Sequence, residues 1–202
     1  QLCRRYGGAL PYPIELVTDA GSEWINEQAP PWRDDDDDDW RERSLAYGAA
    51  HFGIDAIDCV RLRCDAGAVD GVAYVLRESP SPTTKPAHCV YVRDMLISQQ
   101  VDNLLPSWAF FVRTAMNARG LRPTASREAL YEDSVLASAR EQLGRGLRDY
   151  LVELRERDPR QLGAIMMLHF ESIKALAVHD RDFLTLMIDW IPFETSMGFM
   201  TF

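Results

Sequence analysis

Cys59-Val60-Arg61-Leu62-Arg63-Cys64, Asp65-Ala66-Gly67-Ala68, and Val69-Asp70-Gly71-Val72-Ala73-Tyr74-Val75-Leu76-Arg77 follow one another without interruption. Val60, Leu62 and Cys64 alternate with Arg61 and Arg63, the period of a half-buried strand. The short turn carrying Gly67 leads to a second strand, and strands joined by short links pair antiparallel. After a linker from Ser79 to Pro86, His88 to Ile97 supplies a third strand. Working outward, Pro11 to Thr18 reads as a strand whose prolines confine its start to an edge or a strand beginning. Asp19 to Pro31 reads as a connecting loop. Trp40 to Phe52 is helical in tone, with Trp40, Leu45, Ala46 and Ala49 on one side and Gly53 closing it. Val101 to Arg119 carries apolar side chains on most of its surface. It is assigned to a buried helix whose main segment starts at Pro106 and which Gly120 stops. The expected fold is α/β, a mainly antiparallel sheet flanked by helices.

Beyond residue 130 the pattern turns helical. Val135, Leu136, Ala139, Leu143, Leu147, Tyr150, Leu151 and Leu154 recur on one face, and Arg140, Glu141, Arg145, Arg148 and Glu153 fill the other. Asp158-Pro159 restarts a helix, with Asp as cap and Pro in its first turn. Another helical stretch runs from about Asp180 to Trp190, before Pro192 and Gly198 break the pattern.

The chain has 202 residues and an apolar content of 47%, enough for a full core. Its net charge of −9 argues against a nucleic-acid surface, which is basic. No apolar run reaches the length of a membrane span, and Gln1 to Arg5 does not open a signal peptide. These features point to a cytoplasmic protein, and the first residue, not Met, to a fragment. Cys3, Cys59, Cys64 and Cys89 are scattered and read as reduced core thiols. A zinc site from Cys59, Cys64, His88 and Cys89 is disfavoured, because each close pair points to opposite faces of a strand. The run Asp34 to Asp39 lacks the alternation and Gly of a calcium loop and reads as a solvated loop or the acidic start of a helix. No metal site is expected.

The stretch Gly120-Leu121-Arg122-Pro123-Thr124-Ala125-Ser126-Arg127-Glu128-Ala129-Leu130 carries the chemistry. Ser126 reads as the N-cap of the next helix, which puts Arg127 at the positive end of its dipole. A cation held against its local field is a candidate for meeting an anion from elsewhere. Two motifs precede this loop: Val90-Tyr91-Val92-Arg93-Asp94-Met95-Leu96-Ile97, then Leu104-Leu105-Pro106-Ser107-Trp108-Ala109-Phe110-Phe111-Val112-Arg113. With Ser126-Arg127-Glu128 they form an ordered series that resembles the middle domain of the heat shock protein 90 chaperones, of the HtpG type in bacteria. The resemblance runs from about Tyr12 to the C-terminus and is thinnest between Trp40 and Ala87.

That resemblance implies the middle domain of an ATP-dependent chaperone that is a slow ATPase. ATP with Mg would be held by a separate N-terminal ATPase domain, so this chain alone would not hydrolyse it. Arg127 would be the catalytic contribution, reaching the γ-phosphate when the N-terminal domain docks. Tyr131, Arg122 and Arg93 would lie at the nucleotide end of the interface, with Leu96 in domain docking. Trp32, in Pro31-Trp32-Arg33, would be a partly exposed aromatic touching client proteins. The resemblance also implies a large α/β middle subdomain over 1–157, a helical connector over 158–192 and the start of a truncated small subdomain at 193–202. The full-length protein would be a homodimer through a C-terminal domain outside this chain, with no nucleic-acid or membrane partner. The chain departs from the family pattern in two places. Leu121-Arg122-Pro123-Thr124 stands where Leu-Pro-Leu-Asn is usual, and Tyr131 where a glutamine is usual. A second reading is a client or partner platform with no part in ATP hydrolysis. A third, the second domain of gyrase- or MutL-type ATPases, is disfavoured because neither Lys85 nor Lys174 stands in a Gln-Thr-Lys context.

Overall fold

The computed structural model describes residues 2–19, 21–26, 28–33, 38–80, 87–126, 129–191 and 193–200. Helix α1 (Leu2–Gly7) precedes a small hairpin of β1 (Glu15–Thr18) and β2 (Gly21–Trp24), so part of the expected connecting loop is a strand. Helix α2 (Trp40–Phe52) ends at Gly53, whose φ of 60° is the left-handed conformation expected there. Asp38 and Asp39 lead directly into α2. The face α2 buries differs from expectation: Trp40, Ser44, Tyr47 and Gly48 turn inward, while Ala46 and Ala49 face out.

The main sheet has five strands: β3 (Ala56–Cys64), β4 (Val69–Leu76), β5 (His88–Val92), β6 (Met95–Val101) and β7 (Val112–Ala118). Their spatial order is β3-β4-β7-β5-β6, antiparallel throughout except for the parallel pair β5–β7. The expected α/β class with a mainly antiparallel sheet is therefore the observed one. Two details differ. His88 to Ile97 is the arms of a hairpin, folded at Arg93-Asp94. Val101 to Arg119 is not a helix: residues 102–111 cross one face of the sheet in tight turns, and β7 then inserts between β4 and β5. A central strand covered on both faces has no polar side, so its sequence lacks alternation and mimics a buried helix.

Both faces are covered. On one, α2 packs with Trp32, Trp40, Cys59, Val72, Tyr74, Cys89, Tyr91, Leu96 and Ala115. On the other lies the larger core, where Leu62, Ala73, Val75, Val90, Phe111 and Met116 meet α3 (Ser134–Arg157). Cys59 and Cys64 thus fall in opposite cores, as their spacing requires. Cys3 lies exposed on α1, unlike the three core thiols. Burial pushes the Cys59 and Cys89 thiols up to about 12, which leaves them protonated and inert.

Helix α3 exposes Val135 but buries the rest of its expected stripe. Asp158 caps α4 (Pro159–Leu168) by accepting the Gln161 N–H. The chain bends at His169 into α5 (Phe170–His179), and Asp180 caps α6 (Arg181–Met187). A 3-10 turn (Ile188–Trp190) precedes the hairpin of β8 (Phe193–Thr195) and β9 (Gly198–Met200). Among the described residues no single helix is long and apolar enough to cross a membrane; α4 and α5 pass that test only as a pair bent by 94°.

One polar clip fastens the layers. Asp58, 2% exposed, takes hydrogen bonds from Arg41 of α2 (2.6 Å), Tyr150 of α3 (2.6 Å) and the Cys59 N–H (2.8 Å). Arg157 stands 3.7 Å from Asp58 Oδ2, the oxygen that Tyr150 bonds. Burial, with the Asp58 charge beside it, pushes the Tyr150 phenol far up, so the hydroxyl remains a donor. Asp58→Ala is expected to cost on the order of 3 kcal/mol, since it strands Arg41 and Tyr150 together. Tyr150→Phe removes one donor and should cost about 1–2 kcal/mol. Urea unfolding checks both; two small and equal losses would contradict the clip.

His88 is fully buried, and among the described residues neither of its ring nitrogens has a hydrogen-bond partner. Burial, and then the Arg113 charge, lower it to about 4, against 6.5 for an ordinary histidine. The unfolded chain takes up that proton first. The His88 contribution to stability should therefore be constant above about pH 7 and fall between pH 6.5 and 4, by about 3 kcal/mol. His88→Phe should flatten most of that slope in a pH series of denaturation curves, with His169, also lowered by burial, leaving a smaller one.

Candidate functional site

Three connections meet at one end of the main sheet. Strand β7 runs antiparallel to β4 and parallel to β5, so its C-terminal end lies beside the β3–β4 turn and the β5–β6 turn. The loop from residue 119 to 131 leaves from the same place. Its start is fixed by backbone: Arg119 N–H donates to Ala68 O (3.2 Å) and Gly120 N–H to Gly67 O (2.8 Å). Gly120 does not stop a helix. It lets two backbones touch, since a Cβ there would stand 3.1 Å from Gly67 Cα. Leu121 then tucks under the β3–β4 turn and is buried.

The loop has a hairpin-like stem. Pro123 and Leu130 form an isolated antiparallel bridge. Tyr131 N–H donates to Arg122 O (2.7 Å), and both the N–H and hydroxyl of Thr124 donate to Ala129 O (2.9 and 3.1 Å). Leu130 is buried, while Ala125 and Ser126 are exposed. Ser126 does not cap a helix. The next helix, α3, begins eight residues later with Asp133 as its cap, accepting the Leu136 N–H (2.9 Å). Arg127 and Glu128 lie outside the described residues, as do Asp34 to Asp37 and Lys85.

The other candidates are placed as follows. Arg122 donates to Asp133 (2.9 Å), and its guanidinium carbon lies 5.2 Å from the centre of the Tyr131 ring. The Leu136 N–H, and after it the Arg122 guanidinium, hold the Asp133 carboxyl below the usual range. Tyr131 is largely exposed. Arg93 and Asp94 form the two-residue β5–β6 turn, at φ 51° and 67°, the left-handed conformation such hairpins demand. Asp94 accommodates it because its N–H donates to Asn117 Oδ1 (3.0 Å), Asn117 Nδ2 donates back (2.8 Å), and Arg33 pairs with its carboxylate (2.8 Å). Arg93 itself is exposed. Arg93, Arg122 and Tyr131 thus share one end of the sheet.

Two expectations change. Trp32 is 4% exposed, wedged against Tyr91 (5.2 Å between ring centres) and edge-on to Tyr47 (6.5 Å). Its carbonyl accepts from Arg61 (2.6 Å). It is a packing tryptophan and offers no exposed aromatic surface. Leu96 is likewise buried in the α2-side core and is not on the surface as a docking contact.

The acids at this end are mostly engaged: Asp94 with Arg33, Asp70 with Arg61 and Arg63, Asp133 with Arg122, and Glu132 with Arg140. Arg93 and Arg119 have no ion pair among the described residues. In a chain of net charge −9, this end therefore leaves cations facing outward. Arg63, Asp65, Arg119 and Gln142 also line an open cleft of about 390 Å³ beside the loop. Among the described residues no three His, Cys, Asp or Glu side chains gather as a metal site.

The sequence reading missed Asp133, Asn103, Glu132 and Arg140. Asp133 had a usable signal, an acidic cap directly before the apolar helical stripe. The rest act across long sequence distances and left none. Compared with models of known protein families the chain matches none, and compared with curated proteins it finds no relative.

Gly67 (φ 71°) tests how the loop base is built, because a Cβ there would lie 2.5 Å from Leu121 Cδ2. Gly67→Ala should cost about 1 kcal/mol for the backbone and more for displacing Leu121. Gly53→Ala, with the same handedness and nothing within 4 Å, should cost the backbone share alone. Thermal melts of the two variants check this; equal losses would mean that Leu121 does not hold the turn.

Proposed function

We propose that this chain is the middle segment of an ATP-dependent molecular chaperone of the heat shock protein 90 class. In this reading it docks on an N-terminal ATPase domain of the same protein, and Arg127 completes the nucleotide site at the γ-phosphate. The observation that carries the proposal is the ordered succession of the Tyr91–Ile97, Leu104–Arg113 and Ser126–Glu128 motifs. Support comes from the stem that flanks residues 125–128 and from Arg93 and Arg119 at the same end, exposed and without an ion pair among the described residues. Phosphoryl transfer needs positioning and charge neutralisation more than covalent chemistry, and an arginine fork supplies both. ATP would favour the docked state by making contacts there that the open state lacks.

Arg122 plays a different part in this proposal from that of a phosphate ligand. Its bonds to Asp133 and its stacking on Tyr131 make it a brace for the stem, and Tyr131 the surface it braces against. With Trp32 buried, client proteins would have to be met elsewhere on the surface. The Mg–ATP itself would be held by the N-terminal domain, and the full-length protein would act as a cytoplasmic homodimer. The competing reading, a binding platform without catalytic contribution, predicts that Arg127 is dispensable.

Steady-state ATPase of the full-length protein separates the two. Arg127→Ala should lower kcat tenfold or more, about 1.4 kcal/mol of transition-state stabilisation, while ATP affinity holds. An unchanged rate would favour the platform.

A further inference from the structure

Leu130, the buried residue that closes the stem, is held by a side chain 27 residues away. Asn103 Nδ2 donates to Leu130 O (2.9 Å), and Asn103 Oδ1 accepts the Leu130 N–H (3.3 Å). One amide thus satisfies both backbone groups of one residue, as a neighbouring strand would. The same Nδ2 donates to Glu132 Oε1 (2.9 Å). Asn103 is fixed in turn from α3. Arg140 donates to its carbonyl through Nε (2.9 Å) and a terminal nitrogen (2.7 Å), and that nitrogen also bonds Glu132 (2.7 Å). The opposite arm of the stem is tied to the same helix by Arg122 and the capping Asp133. Both arms therefore hang from the first two turns of α3, one through Asp133 and one through Asn103 with Arg140.

We infer that Asn103 is a positioning residue for the loop. It sets where Leu130 stands, and so where the chain re-enters the stem after residues 125–128, and it links that placement to α3. The inference rests on the proposal that Arg127 acts on nucleotide. A displacement of about 1 Å in a group acting on a reaction costs on the order of a hundredfold, so a bond set that fixes a loop end matters to rate more than to stability. Asn103 touches no substrate in this account and acts only through the loop. A shift of α3 relative to the sheet would be felt at the loop through the same bonds.

Two experiments test it. In this chain, Asn103→Ala should speed amide exchange at Leu130 and Tyr131 at least tenfold while the core amides of β4 and β7 keep their protection. Asn103→Ser, which puts one shorter hydroxyl in place of the amide, should fall between Asn103→Ala and the unchanged chain. Unchanged exchange in the stem would overturn the inference whatever the loop does. In the full-length protein, Asn103→Ala should lower kcat about tenfold with ATP affinity unchanged, and should add nothing in an Arg127→Ala background. An additive fall would overturn the inference, because Asn103 would then act by another route. If Arg127→Ala alone leaves the rate unchanged, the functional proposal fails, and the exchange result still decides whether Asn103 positions the loop.

Discussion

The structure depends on β7 being paired on both edges and covered on both faces. It hydrogen-bonds β4 on one side and β5 on the other, joining two hairpins into one sheet. Its side chains divide between the two cores: Val112, Met116 and Ala118 toward α3, and Ala115 toward α2. Without β7 the chain would hold two separate hairpins, and an isolated hairpin is marginal in water. Because β7 is central, the residues that follow it leave from the middle of the sheet end. That places the 119–131 loop between the β3–β4 and β5–β6 turns; the first holds its base through the Ala68 and Gly67 carbonyls, and the second is tied through Asp94 to Asn117 of β7.

Polar contacts then make the layers specific. The apolar faces of α2 and α3 meet the sheet through non-directional contacts, but the Asp58 clip fixes both at once because Arg41 and Tyr150 meet on one carboxylate. Asp94 and Asn117 do the same for the turn beside the loop, and Asn103 with Arg140 for the stem. Each ties residues far apart in sequence. Each also turns an otherwise costly buried or strained group into a satisfied one.

Local patterning made much of this legible. The Cys59–Cys64 alternation, the Gly67 turn, the stop of α2 at Gly53, the cap at Asp158 and the helical start near Asp180 are short-range signals, and the structure has each where the residues put it. β7 was not legible, because burial on both faces removes the alternation by which a strand is recognised. Its apolar run, preceded by Pro106, has the composition of a buried helix. The turn at Arg93-Asp94 was missed because neither residue is the Gly or Asn that marks such hairpins; Asn117, 23 residues on, stabilises it. Motif order singled out Arg93, Arg122 and Tyr131, and the structure places them at one end of the sheet. The bonds that brace the stem are tertiary and have no local trace. Trp32 and Leu96 show the converse limit, since a motif position does not say which side of a residue faces solvent.

The central claim is that the 119–131 loop meets the γ-phosphate of a nucleotide bound on another domain. The most direct measurement is photo-crosslinking of the full-length protein with an ATP analogue carrying an aryl azide on its γ-phosphate, followed by peptide mapping. The account predicts label on the peptide containing Ser126 to Glu128, abolished by excess ATP. Label confined to peptides outside residues 119–131, with nucleotide bound, would contradict it.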